Sequence, residues 1–292
     1  MSLVTPWWFD GAMSHDAVTI IREESERAVA ALTAADPAQR VPTCPDWTAD
    51  DLLWHLAEVH EFWAAILSSG ATTEEEVRAI EEGTAPRPDD REALLERRAA
   101  ATDALLAQLT ARADHEPAWF WFSQAQHVGI ARRMQTHEAS IHRVDAELTA
   151  AHPVTPIPAP LAADGLAHVL DVMWPADAEW LLDQAESSPV ALVEIAPEDG
   201  SAQLLEISRW YATRPRDGEE VEGVFGRRPA SDAASRDLPR ARVTGSPLAL
   251  DLWAWGRAQA LEHLAGGAEK ISIQGDDAAT AALEALIAVG HD

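Results

Sequence analysis

The chain has 292 residues, 47% of them hydrophobic, and carries a formal net charge of −27 from 49 acidic and 22 basic side chains. That length suits one large domain or, better, two, and the apolar fraction supplies a sizeable core. So negative a surface repels phosphate backbones and anionic headgroups, which argues against nucleic-acid and membrane partners.

His15–Ala34 reads as a first helix, because Val18, Ile21, Ser25, Ala28 and Leu32 share a face. Asp36–Asp46, punctuated by Pro37, Pro42 and Pro45, is a loop. A second helix, Trp47–Leu67, has a clear start signal. Thr48 and Asp51 form a capping-box pattern, and Trp47 can staple onto Leu52. Its stripe is Leu52, His55, Val59, Phe62 and Ile66, with Gly70 shortly after its end. Thr72–Glu82 is a short, acidic, exposed helix whose extension Pro86-Arg87-Pro88 blocks. Arg91–Ala111 follows, with Leu94, Leu95, Ala101, Leu105 and Leu109 as apolar members. The run Trp119-Phe120-Trp121-Phe122 introduces a last long helix, Gln124–Leu148, with the stripe Ile130, Met134, His137, Ile141, Val144 and Leu148. Four helices of about 20 residues in succession predict a four-helix bundle.

His152–Pro160 is Pro-rich, a composition that suits a semi-rigid linker. The expected organisation is therefore a bundle over 1–151, a linker over 152–160 and a second domain over 161–292. Leu161–Ala185 reads as helical with a break at Pro175. Pro189–Pro197 and Gln203–Arg209 are β-type runs flanking Pro197-Glu198-Asp199-Gly200, a hairpin signal. Val221–Phe225 and Ala241–Thr244 are further candidate strands. Ser246–Leu264 reads as a helix, Lys270–Gln274 as a strand and Asp276–Val289 as a final helix. The fold class is α+β, a helical bundle followed by a smaller α+β domain with a mainly antiparallel sheet.

The chemistry-bearing residues fall in the bundle. His55 lies in the stripe of the second helix, and a buried imidazole without a partner costs roughly 1–3 kcal/mol. Glu138 and His142, four apart, sit one above the other on a helix face and can grip one divalent ion. A third ligand from another helix leaves a position open, the usual form of a catalytic zinc site, and His55 is the leading candidate. The competing reading is an ordinary surface pair plus a satisfied core histidine. His137-Glu138 is not the zinc-protease motif, because His137 and His142 are five apart, about 500° of rotation. By periodicity His137 is central in its stripe while Glu138 and His142 flank it, so His137 stays a reserve ligand. His60 points off the metal face by spacing, and His127 is placed to line a pocket. Of the 12 Trp, those near these segments build the core or wall off water around a metal.

Cys44 is the single cysteine, so no intrachain disulfide forms and a reducing compartment is expected. No adjacent base makes it a nucleophile, and it reads as a small hydrophobe. Met1–Trp8 lacks the pattern of a signal peptide, and no stretch nears the roughly 18 apolar residues of a membrane span. A cytoplasmic location follows. No nucleophile elbow or Gly-rich phosphate loop is present.

Three segments together carry a family resemblance. They are Val41-Pro42-Thr43-Cys44-Pro45-Asp46-Trp47-Thr48, then Leu52-Leu53-Trp54-His55-Leu56 with Val59-His60, and Arg133 through Glu147. The chain resembles the mycothiol-dependent maleylpyruvate isomerase family, whose first domain is a DinB-like four-helix bundle. The likeness covers roughly residues 10–150. Gly245-Ser246-Pro247, Trp253-Ala254-Trp255-Gly256-Arg257 and Gly275-Asp276 look like the family's smaller C-terminal α+β domain. In that family zinc is held by one histidine of the second helix and a Glu-x-x-x-His pair of the last, positions that match His55, Glu138 and His142.

The resemblance implies a metal-dependent enzyme using a low-molecular-weight thiol, mycothiol, with Zn2+ or another divalent metal as cofactor. A thiol of pKa about 8.5 is mostly protonated at neutral pH, and coordination strips that proton. Thiolate adds to the double bond of maleylpyruvate or a similar electrophile, the bond rotates, and elimination gives the trans isomer. Cationic residues meet the carboxylates of substrate or thiol, with Arg133, Arg143 and Arg257 as candidates. A mycothiol S-transferase on another electrophile, or a non-catalytic metal- or ligand-binding protein, stays open as an alternative. A monomer or small homo-oligomer is expected.

Overall fold

The computed structural model describes residues 16–181, 184–230 and 236–290. The expected helix start at His15 and the Met1–Trp8 reading lie outside them. The chain divides into two compact units, one of residues 1–39, 47–120 and 126–146, the other of 40–46, 121–125 and 147–292.

The first unit is helical. α1 (Ala17–Ala34) begins at Asp16, whose carboxylate accepts from the Thr19 amide. α2 (Ala49–Ser69) begins at Thr48 with the expected capping box: Thr48 Oγ1 accepts from the Asp51 amide and the Asp51 carboxylate accepts from the Thr48 amide. It ends at Gly70, whose φ of 72° is the left-handed turn that favours glycine. A second capping box, Thr73 with Glu76, opens the short α3 (Glu74–Gly83). α4 (Arg91–Ala111) has the limits the sequence predicts. α5 (Val128–Thr149) starts four residues later than expected, because Pro117 and His127 form a β-bridge ahead of it.

α2 packs along α4, and Arg97 clamps the pair. Its Nε and Nη2 donate to the two Glu61 oxygens at 2.7 and 2.6 Å, while its guanidinium lies 4.8 Å from the Trp54 ring centre. The core holds Ile21, Leu32, Leu52, Leu53, Ile66, Leu67, Leu105 and Leu106. The buried face of α2 is centred on Leu53, Leu56, His60, Trp63 and Leu67, whereas His55 and Phe62 are half-buried. The stripe expected from periodicity is thus the flank of the true one. α2 touches α1, α3 and α4 and its apolar arc is wide; Asp50, Asp51, Glu58 and Glu61 share the opposite arc, which puts the middle of the buried face near His60.

The second unit begins with Val154 and Ile157 of the Pro-rich stretch, which are buried; Val154 bridges Leu264. α6 (Ala159–His168) does not break at Pro175. It passes through a π turn, Val169–Met173, into α7 (Trp174–Ala176), with the Trp174 amide reaching back five residues to the Val169 carbonyl. Widening the helix there absorbs the proline's missing donor. A 3-10 turn, Asp177–Trp180, follows.

Five strands then form one sheet: β1 (Glu186–Pro197), β2 (Gln203–Thr213), β3 (Glu220–Arg227), β4 (Arg240–Gly245) and β5 (Ser272–Gly275), in the order β3-β2-β1-β4-β5. All neighbours are antiparallel except β1 and β4. The β1–β2 hairpin turns where Pro197–Gly200 predicts it. α8 (Pro247–Ala254) is shorter than the expected Ser246–Leu264. Gly256, at φ 76°, turns the chain left-handed, and the Arg257 amide donates to the Leu252 carbonyl. That is a Schellman stop, after which Ala258–Glu262 is a 3-10 turn. α9 (Asp277–Ile287) packs on the sheet. Among the described residues no helix is long and apolar enough to cross a membrane.

Candidate metal centre

His55, Glu138 and His142 come together inside the helical unit. The Thr48 cap fixes the start of α2 and so places His55 in its second turn. Glu138 and His142 stand one turn apart on α5. His55 Nε2 is 3.1 Å from His142 Nε2 and 4.0 Å from Glu138 Oε2, and His142 Nε2 is 3.2 Å from Glu138 Oε2. A triangle with those edges has a circumradius of about 2.0 Å, against zinc bonds of about 2.0–2.2 Å to imidazole nitrogen and carboxylate oxygen. The donor set, two imidazoles and one carboxylate, suits the same ion.

Asp145 settles the tautomer. Fully buried, it accepts a hydrogen bond from His142 Nδ1 at 2.9 Å, so neutral His142 turns its Nε2 lone pair towards the other two residues. Burial alone would depress this imidazole. Hydrogen bonds to Asp145 and Glu138 overcome it and push the pKa up to about 9. Burial likewise works to raise the Glu138 carboxyl, yet hydrogen bonds from His142 and His55 hold it well below the usual carboxylate range. Side-chain exposure is 16% for His55 against 2% for His142 and 8% for Glu138, so the opening lies on the His55 side. Trp47 covers that side, its ring 4.7 Å from that of His55 and 6.3 Å from that of His142.

The other histidines are placed differently. His137 is buried on α5 but is not in this group. His60 is also buried and is outside this group, with Nδ1 3.0 Å from Thr102 Oγ1. His127 stands at the entry to α5, where Nδ1 accepts from the Ile130 amide.

The three arginines also separate. Arg143 is buried on α5 with its Nε donating to Glu24 Oε2 at 2.6 Å, an ion pair that ties α5 to α1. Arg133 is half-buried on α5. Arg257, in the second unit, is buried, with Nη1 on the Trp255 carbonyl at 2.7 Å and Nη2 3.5 Å from Cys44 Sγ. Sequence reasoning missed Asp145, although its spacing three residues after His142 is the signal that finds it.

The chain matches the family model described as the mycothiol maleylpyruvate isomerase N-terminal domain over residues 18–147. Two solved structures resemble it: the mycothiol-dependent maleylpyruvate isomerase, at 15% identity, and a mutant form of that enzyme, at 14%. Each alignment covers 88% of this chain and 91% of the other, with a TM-score of 0.48. No curated protein matches. All the residues of the centre fall inside the matched segment, and over residues 18–147 the chain is similar to the mycothiol maleylpyruvate isomerase N-terminal domain.

Proposed function

We propose that this protein is a metal-dependent enzyme that uses mycothiol to isomerise maleylpyruvate or a similar small electrophile with a conjugated double bond. The observation that carries the reading is the His55–Glu138–His142 triangle, sized for a zinc-like ion and backed by Asp145, within the segment the family model matches. His55, Glu138 and His142 would hold the ion, which when bound supplies a Lewis acid that lowers a thiol's pKa. Glu138, held ionised, contributes one negative charge to the ligand set. Asp145 orients His142 and raises its basicity. Trp47 limits water on the open side and gives a substrate an apolar wall. Arg133, on the helix that carries Glu138 and His142, is the cationic candidate for a substrate carboxylate, whereas Arg143 already serves Glu24.

Turnover of maleylpyruvate with mycothiol, with and without chelator, tests this. Activity should be lost on chelation, restored by zinc or another divalent ion, and abolished in a folded His55→Ala variant. Undiminished turnover after exhaustive chelation would overturn it. A panel of thiols and electrophiles separates isomerase from transferase, since only the transferase consumes thiol stoichiometrically.

A further inference from the structure

Arg98 is a cation buried in the helical unit, and among the described residues no carboxylate pairs with it. It sits on the buried stripe of α4 between Leu94 and Thr102, and only 4% of the residue is exposed. Among the described residues its Nε and Nη2 meet no acceptor. Enclosing a guanidinium this way is strongly unfavourable unless something of opposite charge joins it. Burial presses its pKa down to about 10, and the exposed Glu26 offsets only part of that.

A second buried donor, Ser25, lies on the neighbouring α1. It is 2% exposed, and among the described residues its Oγ meets no partner. The α1–α4 register puts it level with Arg98. Arg22 pairs with Asp103 at 3.3 Å, Arg91 donates to the Leu32 carbonyl at 2.6 Å, and between those contacts Ser25 comes opposite the Arg98–Thr102 turn. His60 closes the side towards α2. Thr102 Oγ1 donates to the Arg98 carbonyl at 3.0 Å, so the hydroxyl accepts from His60 Nδ1. Burial first and the charge of Arg98 second keep His60 neutral, so it brings Arg98 no negative charge.

We propose that Arg98 and Ser25 form a binding site for one halide-sized monovalent anion inside the helical unit. Guanidinium N–H groups and a hydroxyl are all donors, which suits a spherical acceptor. Enclosure to 4% exposure favours a small ion over phosphate or an organic acid. Its charge balances the guanidinium that otherwise bears on His60.

Bromide is the probe, titrated into the purified full chain at constant ionic strength against gluconate, which is too large to enter. The wild type should show a saturable rise in Tm. Arg98→Met should show none, and Ser25→Ala should need at least tenfold more bromide for the same rise. Crystals grown in bromide should give an anomalous peak between the Arg98 guanidinium and Ser25 Oγ. An Arg98→Met response equal to the wild type, or no saturable wild-type response, overturns the proposal. If Arg98→Met does not fold, an unchanged bromide midpoint in Ser25→Ala does so. Neither readout uses turnover or metal content, so failure here leaves the proposed enzymatic reading standing, and the reverse.

Discussion

Replacing Asp145 by asparagine removes a charge that the fold has buried completely while keeping the side chain's shape. In the wild type the carboxylate accepts from His142 Nδ1 at 2.9 Å and makes Nε2 the lone-pair nitrogen. Loss of such an outer partner typically weakens metal binding by about 10–100-fold, or roughly 1.4–2.7 kcal/mol. A second effect works the other way. In the metal-free protein His142 titrates at about 9, so at pH 7 an incoming ion must displace a proton. Two pH units of competition weaken apparent affinity by about 100-fold. Asp145 is a large cause of that raised pKa, so Asp145→Asn also relieves the competition. The two effects oppose each other at pH 7 and separate above pH 9, where the full loss should emerge. Competition for zinc against a chromophoric chelator at both pH values reads this directly, with far-UV circular dichroism to show that the helices persist. An asparagine variant that binds zinc as tightly as wild type at pH 9 would refute the assignment of Asp145.

Wild-type affinity for a divalent ion should climb with pH from about 6.5 to about 9, with one proton released per ion. The matching sign for stability follows: the raised His142 pKa helps the metal-free protein fully below 6.5 and is lost as pH rises through about 9. Calorimetric titrations in two buffers of different ionisation enthalpy count the proton, and a pH-independent affinity rules the linkage out. Gly165→Ala should lose about 1–3 kcal/mol in urea denaturation, because a Cβ there would overlap the Asp251 carboxylate; a change below about 0.5 kcal/mol would show that α6 and α8 are not so close. Asp251 is buried, its Oδ1 meets no partner among the described residues, and burial, with the charge of Asp164, raises its pKa well above 3.8 against a smaller opposing effect of Trp255. The folded state therefore keeps a proton that the unfolded chain releases, and stability declines as pH rises above 3.8. Asp251→Asn should be more stable than wild type at pH 8 and closer to it at pH 3.5; parallel pH profiles would contradict this.

Local signals made much of the fold legible. Thr48 with Asp51 and Gly70 bracket α2 because a cap acts through neighbouring atoms only. The trio was legible for a similar reason, since Glu138 and His142 share a helix turn and the family motif supplies His55. What spacing alone misjudged depends on surroundings. Whether His55 or His60 faces the core is set by the helices around α2; the acidic arc of Asp50, Asp51, Glu58 and Glu61 records it, and the apolar spacing taken alone does not. The early end of α8 was marked by Gly256 but masked by the apolar Trp253–Trp255 run before it. Pro175 marks a real irregularity, yet whether a helix breaks or widens depends on packing that the proline itself does not encode.

The polar groups buried in the helical unit do two different things. Paired ones fix register: Arg143 with Glu24 ties α5 to α1, and His60 with Thr102 ties α2 to α4, joined by the half-buried Arg97–Glu61 pair. The two helices that bear the trio are therefore each tied to a third helix. That matters because a slip of one residue turns a helix by about 100° and would carry a ligand atom well outside bonding range. A site needing three donors within 4.0 Å of one another cannot rely on apolar packing, which tolerates sliding, to hold them. Specific pairs across helix interfaces supply that constraint, and the same logic separates Arg98 and Ser25 from them. Neither side chain ties one described helix to another, so register does not explain them, and the proposed anion supplies a reason for donors to stay buried there.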